Sequence, residues 1–186
     1  KGKDVYQAAT AEAEKCPAGS AGLLFLPYLN GERTPHADPT ARGAFVGLNL
    51  THTRGSMTRS VMEGITLALR DSLEIIESLD VPVREIRASG GGSKNPFWRQ
   101  MQADVFGKKI TTLKVEQGPA YGVALLAAVG DGAYRNIQSA CKATIEIADQ
   151  TKVDRKAATA YNNLFPVYRK LYTDLKDSMH ALAAQQ

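Results

Sequence analysis

The stretch ASGGGSKNPFWRQMQADVFG, residues 88–107, places three consecutive glycines between an apolar run and an amphipathic one. Glycine loses more backbone freedom on folding than any other residue, so three together need a physical reason. Either the turn requires backbone angles that a Cβ forbids, or something must lie against bare backbone. Residues 83–89 predict a strand before the glycines. Residues 95–106 predict a helix after them, with Pro96 in the first turn, where a missing N–H costs nothing.

The same unit occurs a second time further along the chain. Residues 108–115, KKITTLKV, predict a strand, and GPAYGVALLAAVGDG predicts a helix that begins at Gly118 and contains Gly122. Strands that alternate with glycine turns and helices are typical of layered α/β domains. The fold class predicted for the chain is therefore α/β.

The other predicted elements surround these two units. Residues 4–15 predict a helix, and the apolar run GLLFLPYL predicts a short buried strand. From residue 153 onward we expect a long helix that Pro166 kinks or splits. Residues 56–79 predict another long helix, whose core-facing stripe is Met57, Val61, Ile65, Leu69, Leu73 and Ile76.

Composition indicates an ordinary globular protein. The 186 residues are 44% hydrophobic and 23% charged, with a formal net charge of +4. We find no basic run with interleaved aromatic residues, no apolar run of membrane-spanning length and no signal peptide. Cys16 and Cys141 are predicted to be buried free thiols. We therefore expect a cytoplasmic protein that binds neither nucleic acid nor membrane.

A glycine turn between a strand and a helix gathers backbone N–H groups in one place, which suits nucleotide binding. The triple glycine matches neither G-x-G-x-x-G nor the P-loop, because Lys94 has the wrong spacing. A plain tight turn is the alternative. Ser93 and Asn95 favour a ligand, since short polar side chains beside bare backbone can hydrogen-bond it. Gly118 and Gly122 would form the other wall of the cleft.

Four segments together resemble a known family. In chain order they are FLPYLNGERTPHADPTARGAFVGL, EGITLALRD, ASGGGSKNPFWRQMQADVFG and EQGPAYGVALLAA. They resemble the C-terminal domain of the FGGY carbohydrate kinases over residues 24–172. The resemblance implies an actin-like, ribonuclease H-like ATPase fold, in which two α/β domains flank a cleft and the second domain holds most of the ATP. Residues 1–186 would form part of that second domain.

The resemblance also implies roles for individual residues. Gly91 would lie against the purine or ribose, and Asn95 would hydrogen-bond the adenine or sugar edge. Gly90, Gly92 and Ser93 would shape that wall, while Gly118 and Gly122 belong to the helix beneath the nucleotide. ATP and Mg²⁺ are the implied cofactors. One position departs from the family signature, Ser56, which we interpret as a helix N-cap.

The catalytic machinery is expected elsewhere. The resemblance assigns the catalytic Asp, the sugar contacts and a Gly-Thr phosphate hairpin to segments upstream, and no D-x-G-T or G-T-G turn precedes Leu23. We therefore predict no catalytic residue and no metal ligand on this chain, and no activity from it alone. His36 and Asp38 are interpreted as structural loop residues, Glu63 and Arg70 as a solvated or cross-helix pair, and Phe97 and Trp98 as core anchors.

The predicted reaction is ATP-dependent phosphorylation of D-xylulose to D-xylulose 5-phosphate, because PYLNGERTPH is closest to the wording of the family's xylulose-specific members. Two alternatives stay open. One is a kinase for another sugar or sugar acid, such as ribulose, fuculose or gluconate. The other is a non-catalytic nucleotide-binding module of actin-like fold. The expected partners are a small sugar and the N-terminal domain, and homodimers are frequent in the family.

Overall fold

The computed structural model describes residues 5–114 and 118–185. Its elements, in chain order, are α1 Val5–Glu14, β1 Leu24–Leu26, β2 Ala44–Val46, α2 Arg54–Ser78, β3 Ile86–Arg87, α3 Gly91–Lys94, α4 Pro96–Phe106, β4 Ile110–Leu113, α5 Gly118–Gly130, α6 Ile137–Thr144, β5 Ile147–Thr151 and α7 Arg155–Ala183. A short 3₁₀ turn, Ser20–Gly22, precedes β1. The predicted α/β class is confirmed.

The strands form two small sheets. β1 pairs antiparallel with β2, and a three-stranded sheet has the order β3-β4-β5. β3 and β4 are parallel, with α4 as their crossover, whereas β5 is antiparallel to β4. The sequence predicted β3 and β4 but assigned no element to residues 137–151, where α6 and the mostly exposed strand β5 lie.

The main core lies where β1, α2, α4 and α7 meet. β1 is buried along its whole length, as its apolar run predicts. Phe97 and Trp98 pack against this core, as predicted for anchors behind the glycine turn. The members of the core cluster are Ala13, Leu24, Leu26, Tyr28, Ala41, Met62, Leu67, Ala68, Met101, Val105, Tyr161, Phe165, Tyr168 and Met179.

Helix α2 occurs where it was predicted, but the predicted core stripe is wrong. Leu69 and Ile76 are 51% and 45% exposed, while the opposite side buries Leu67 and a series of small or polar residues, among them Ser60, Gly64 and Asp71. Close packing against β1 explains why this side of α2 is the buried one. A Cβ on Gly64 would lie 2.1 Å from the carbonyl oxygen of Phe25 in β1, so position 64, where α2 meets β1, has no room for a side chain.

Three smaller predictions also need correction. The N-cap of α2 is Thr53, and Ser56 sits three residues inside, where the two side chains form a reciprocal capping box. Helix α7 continues as one element across the exposed Pro166, so the proline does not split the helix. Cys16 and Cys141 are free thiols as predicted, but they are half-buried rather than buried.

Candidate functional site: the glycine turn and its surroundings

The triple glycine forms a tight link between β3 and α4. Gly90 has a φ of 81°, in the region that favours glycine, and α3 follows it as a single turn. The hydroxyl of the buried Ser93 donates to the carbonyl oxygen of Gly90 at 2.8 Å. Ser93 therefore stabilises the turn from its buried side.

The three glycines are required to different degrees by the fold itself. Gly90 needs its positive φ, and a Cβ on Gly92 would lie 3.3 Å from the ring of Trp98. Gly91 has an ordinary φ, and a Cβ built there would meet no atom within 4 Å. Neither backbone strain nor packing accounts for the glycine at position 91, and its outer side is open.

Asn95 is the N-cap of α4. Its Oδ1 accepts hydrogen bonds from the backbone N–H groups of Phe97 and Trp98, at 3.0 and 3.3 Å. Its Nδ2 donates to Oγ1 of Thr10 at 3.1 Å. An amide nitrogen carries two hydrogens, so one N–H remains for a further acceptor. Helix capping is thus a sufficient structural reason for an asparagine at this position.

The second glycine-started helix borders a cavity of about 460 Å³. Gly118 has a φ of 46°, whereas Gly122 has room for a Cβ and an ordinary φ. Among the described residues the lining reaches the first turn at Ser89 but includes none of residues 90–95. The lining residues are Arg87, Ala88, Ser89, Leu113, Gly118, Tyr121, Gly122, Leu125, Leu126, Ile137, Cys141 and Ile145.

His36 occupies a structural position, as predicted. Its ring stacks on Tyr172 with centroids 3.5 Å apart, and its Nε2 lies 3.3 Å from the Tyr28 hydroxyl. Burial lowers the pKa of His36 and raises the pKa of Tyr28 to about 12. The neutral ring therefore helps to fix the loop of residues 30–42 on α7.

Asp38 provides a second set of contacts between the same loop and α7. The side chain is buried, and its Oδ2 lies 2.6 Å from Nε2 of His180 and accepts a hydrogen bond from the Tyr172 hydroxyl at 2.9 Å. Its Oδ1 accepts from both the N–H and the hydroxyl of Thr40. The hydrogen bond from His180 is the main reason that the pKa of Asp38 lies well below its ordinary value.

Glu63 was wrongly interpreted as a solvated or cross-helix partner of Arg70. It is 1% exposed, and its Oε1 is 2.7 Å from Nε of Arg59. The Tyr161 hydroxyl and the backbone N–H of Gly19 also donate to Oε1, and the Ser20 hydroxyl donates to Oε2. The sequence gives no clear signal for this network, because charges four residues apart are usual on exposed helix faces.

A magnesium site was not expected on this chain. Within residues 5–114 and 118–185, no three His, Cys, Asp or Glu side chains group closely enough to hold a metal ion. None of the described helices is both long enough and apolar enough to cross a membrane.

The fold and its two glycine turns define an α/β domain. Comparison with known proteins shows the family to which this domain belongs. The model of the C-terminal domain of the FGGY family of carbohydrate kinases matches residues 2–130. The chain belongs to this family. The predicted domain class, with the actin-like ATPase fold of these kinases, is confirmed.

Individual relatives agree with this assignment. A xylulose kinase of Bacillus subtilis is 41% identical over 91% of this chain and 34% of that protein. The structure of ligand-bound xylulose kinase from Lactobacillus acidophilus has a TM-score of 0.90 and 34% identity, over 95% of this chain and 36% of the other. Gluconate kinase from the same organism has a TM-score of 0.91 and 32% identity, over 98% and 37%. The chain thus spans about a third of the length of these relatives.

Proposed function

We propose that this chain supplies the adenosine-binding part of an ATP-dependent sugar kinase. The observation that carries the proposal is Gly91, because neither the backbone angle nor the packing around it calls for glycine. A residue without a Cβ on an open surface lets a flat ring approach the backbone closely. Membership in a family of carbohydrate kinases makes ATP the matching ligand.

Neighbouring residues have complementary roles in this proposal. Gly90, Gly92 and Ser93 hold the turn in shape, because they supply the positive φ, the close contact with Trp98 and the internal hydrogen bond. Asn95 caps α4 and offers its second N–H to an acceptor on the adenine edge. Gly118 and Gly122 line the adjoining cavity and form the opposite wall.

The proposed substrate of the whole protein is D-xylulose, with D-xylulose 5-phosphate as the product. Xylulose kinase is the name of relatives that are 41% identical over most of this chain. Gluconate is a second candidate, because a gluconokinase of Bacillus subtilis is 31% identical over the full chain and a gluconate kinase shares the fold. Residues that contact the sugar are proposed to lie outside this chain, as are the catalytic base and the ligands of Mg²⁺.

A substitution at Gly91 in the full-length kinase tests the nucleotide site. Gly91→Val puts a branched side chain where the nucleoside is proposed to lie, so we expect the KM for ATP to rise at least about tenfold, a loss of about 1.4 kcal/mol. The KM for sugar should change little. Steady-state kinetics with each substrate varied in turn measures both.

Gly130→Val is the matched control. Gly130 ends α5, and a Cβ there would also meet no atom within 4 Å. Its substitution should leave both KM values unchanged. An unchanged KM for ATP in a folded Gly91→Val protein would remove the adenosine site from this turn.

A further inference from the structure

Arg99, in the first half of α4, connects the glycine turn to strand β5. Its Nη1 donates to the carbonyl oxygen of Ser93 at 2.8 Å, and its Nη2 donates to Oδ2 of Asp149 in β5 at 2.9 Å. The side chain of Arg99 is 15% exposed and that of Asp149 is 57% exposed. A guanidinium presents its N–H groups in a rigid fork, so one side chain can hold two acceptors in a fixed arrangement. We call this connection the Arg99 bridge.

The Arg99 bridge ends on the residue that holds the turn together. The hydroxyl and the backbone N–H of Ser93 both donate to the carbonyl oxygen of Gly90, at 2.8 and 3.2 Å. The carbonyl oxygen of Ser93 is the atom that Arg99 holds. Gly91 and Gly92 lie between these two points. The backbone beside the open side of Gly91 is therefore fixed at both ends, on one of them by Arg99.

The other end of the Arg99 bridge lies on a strand that is itself held against α4. Nε2 of Gln100 donates to the carbonyl oxygen of Lys152 at 2.9 Å, just after β5. Oδ1 of Asp104 accepts a hydrogen bond from the backbone N–H of Asp154 at 2.7 Å. This strand lies beyond the segment that the family model matches, which ends at residue 130. β5 therefore offers Arg99 a fixed support that the matched segment does not contain.

Stability alone gives little reason for an arginine at position 99. Its Nε is buried and has no hydrogen-bond partner among the described residues, and a buried donor that stays unpaired costs stability. Apolar side chains of similar volume are often as stabilising as a buried ion pair. Asp149 adds little, because ion pairs with an exposed partner contribute small energies. What an apolar residue could not supply is the hydrogen bond to the carbonyl oxygen of Ser93.

We propose that Arg99 is a positioning residue of the adenosine site, which acts through the Ser93 carbonyl to hold Gly91 in the geometry that accepts a nucleoside. This inference rests on the adenosine site proposed above. A turn that is already ordered loses less conformational entropy when its ligand binds, so the Arg99 bridge strengthens nucleotide binding. Adenosine lies at the far end of ATP from the transferred phosphoryl group and is held equally before and during the reaction. Loss of the bridge should therefore raise the KM for ATP and leave kcat nearly unchanged.

Steady-state kinetics of full-length variants tests the proposal. Arg99→Lys keeps the charge but removes the fork, so we expect the KM for ATP to rise about five- to tenfold, with kcat and the KM for sugar within about twofold. Arg70→Lys is the matched control, because Arg70 is 16% exposed and also donates to two partners, Glu74 and Asn162. It should change none of the three constants. Asp149→Ala, at an exposed position, should raise the KM for ATP about two- to threefold and decides the question should Arg99→Lys fail to fold.

Equilibrium binding of AMP, ADP and ATP separates positioning from a direct charge contact. Positioning predicts that Arg99→Lys weakens the binding of all three nucleotides by the same factor, because they share the adenosine. A loss that grows with the number of phosphates would overturn the proposal, as would an unchanged KM for ATP or an equal rise in the Arg70→Lys control. If Gly91→Val raises the KM for ATP and Arg99→Lys does not, the adenosine site stands and the Arg99 bridge has no part in it. If neither variant raises it, both proposals fail.

Discussion

At the scale of single residues, the structure gives a different physical reason for each of the glycines at positions 90–92. The sequence correctly indicated a glycine turn between a strand and a helix. It does not show which glycine is needed for its backbone angle and which leaves open space beside the backbone. Gly90 has a positive φ and a Cβ on Gly92 would crowd the Trp98 ring, whereas Gly91 has neither constraint. The burial of Glu63 was not predicted at all, because its buried partners Gly19 and Tyr161 are distant in sequence.

Asp38 allows a prediction about pH. Because the folded-state pKa of this carboxyl is depressed, chiefly by His180, its contribution to stability is fully present above the unfolded-state value of about 4 and is lost as the pH falls through the folded-state value. Asp38→Asn should therefore lower the free energy of unfolding at pH 7, and the difference from the wild type should shrink towards about pH 2.

Denaturant titrations of the full-length protein at several pH values measure this effect. Asp131→Asn, at an exposed carboxylate in the turn after α5, is the control and should not alter the pH dependence. A difference between wild type and Asp38→Asn that stays constant from pH 7 to about pH 2 would mean that the ionised form of Asp38 does not stabilise the fold.

At the scale of elements, period and turn signals located α1, β1, α2, α4, β4 and α5, but they misassigned the buried side of α2. Hydrophobic spacing identifies the side with the large apolar residues. It does not detect a side that is buried because Gly64 allows the backbone of β1 to approach. Strand β5 was missed because its sequence, IADQT, is polar and its residues are mostly exposed.

Leu67 is the leucine of α2 whose truncation should be most costly within this domain. It is 1% exposed in the main core, so Leu67→Ala should reduce the free energy of unfolding by about 2–5 kcal/mol. Leu182→Ala on the exposed side of α7 should change it by less than about 0.5 kcal/mol. Denaturant unfolding of both full-length variants measures the contrast, and equal stabilities would place the core on another side of α2.

At the scale of the whole molecule, the chain corresponds to about a third of the length of the sugar kinases that it matches. Sugar phosphorylation needs a base, phosphate ligands and a metal in register with the nucleotide. The described residues include the proposed adenosine wall, and no three of their His, Cys, Asp or Glu side chains form a group that could hold a metal ion. Sequence motifs were sufficient to identify the family and domain, because they lie at turns and buried segments that the fold fixes. Sugar choice was not predictable from them, since xylulose and gluconate kinases share this fold.

The most direct test is sugar-dependent ADP release by the full-length protein, measured with D-xylulose, D-ribulose, L-fuculose, D-gluconate and no sugar. The 186-residue chain alone is measured in parallel. We predict the highest kcat/KM with D-xylulose for the full-length protein, and no release above background from the chain alone, because positioning and electrostatic stabilisation of the phosphoryl group are missing there. ADP release that no sugar stimulates, a preference for D-gluconate, or sugar-specific turnover by the isolated chain would contradict the account.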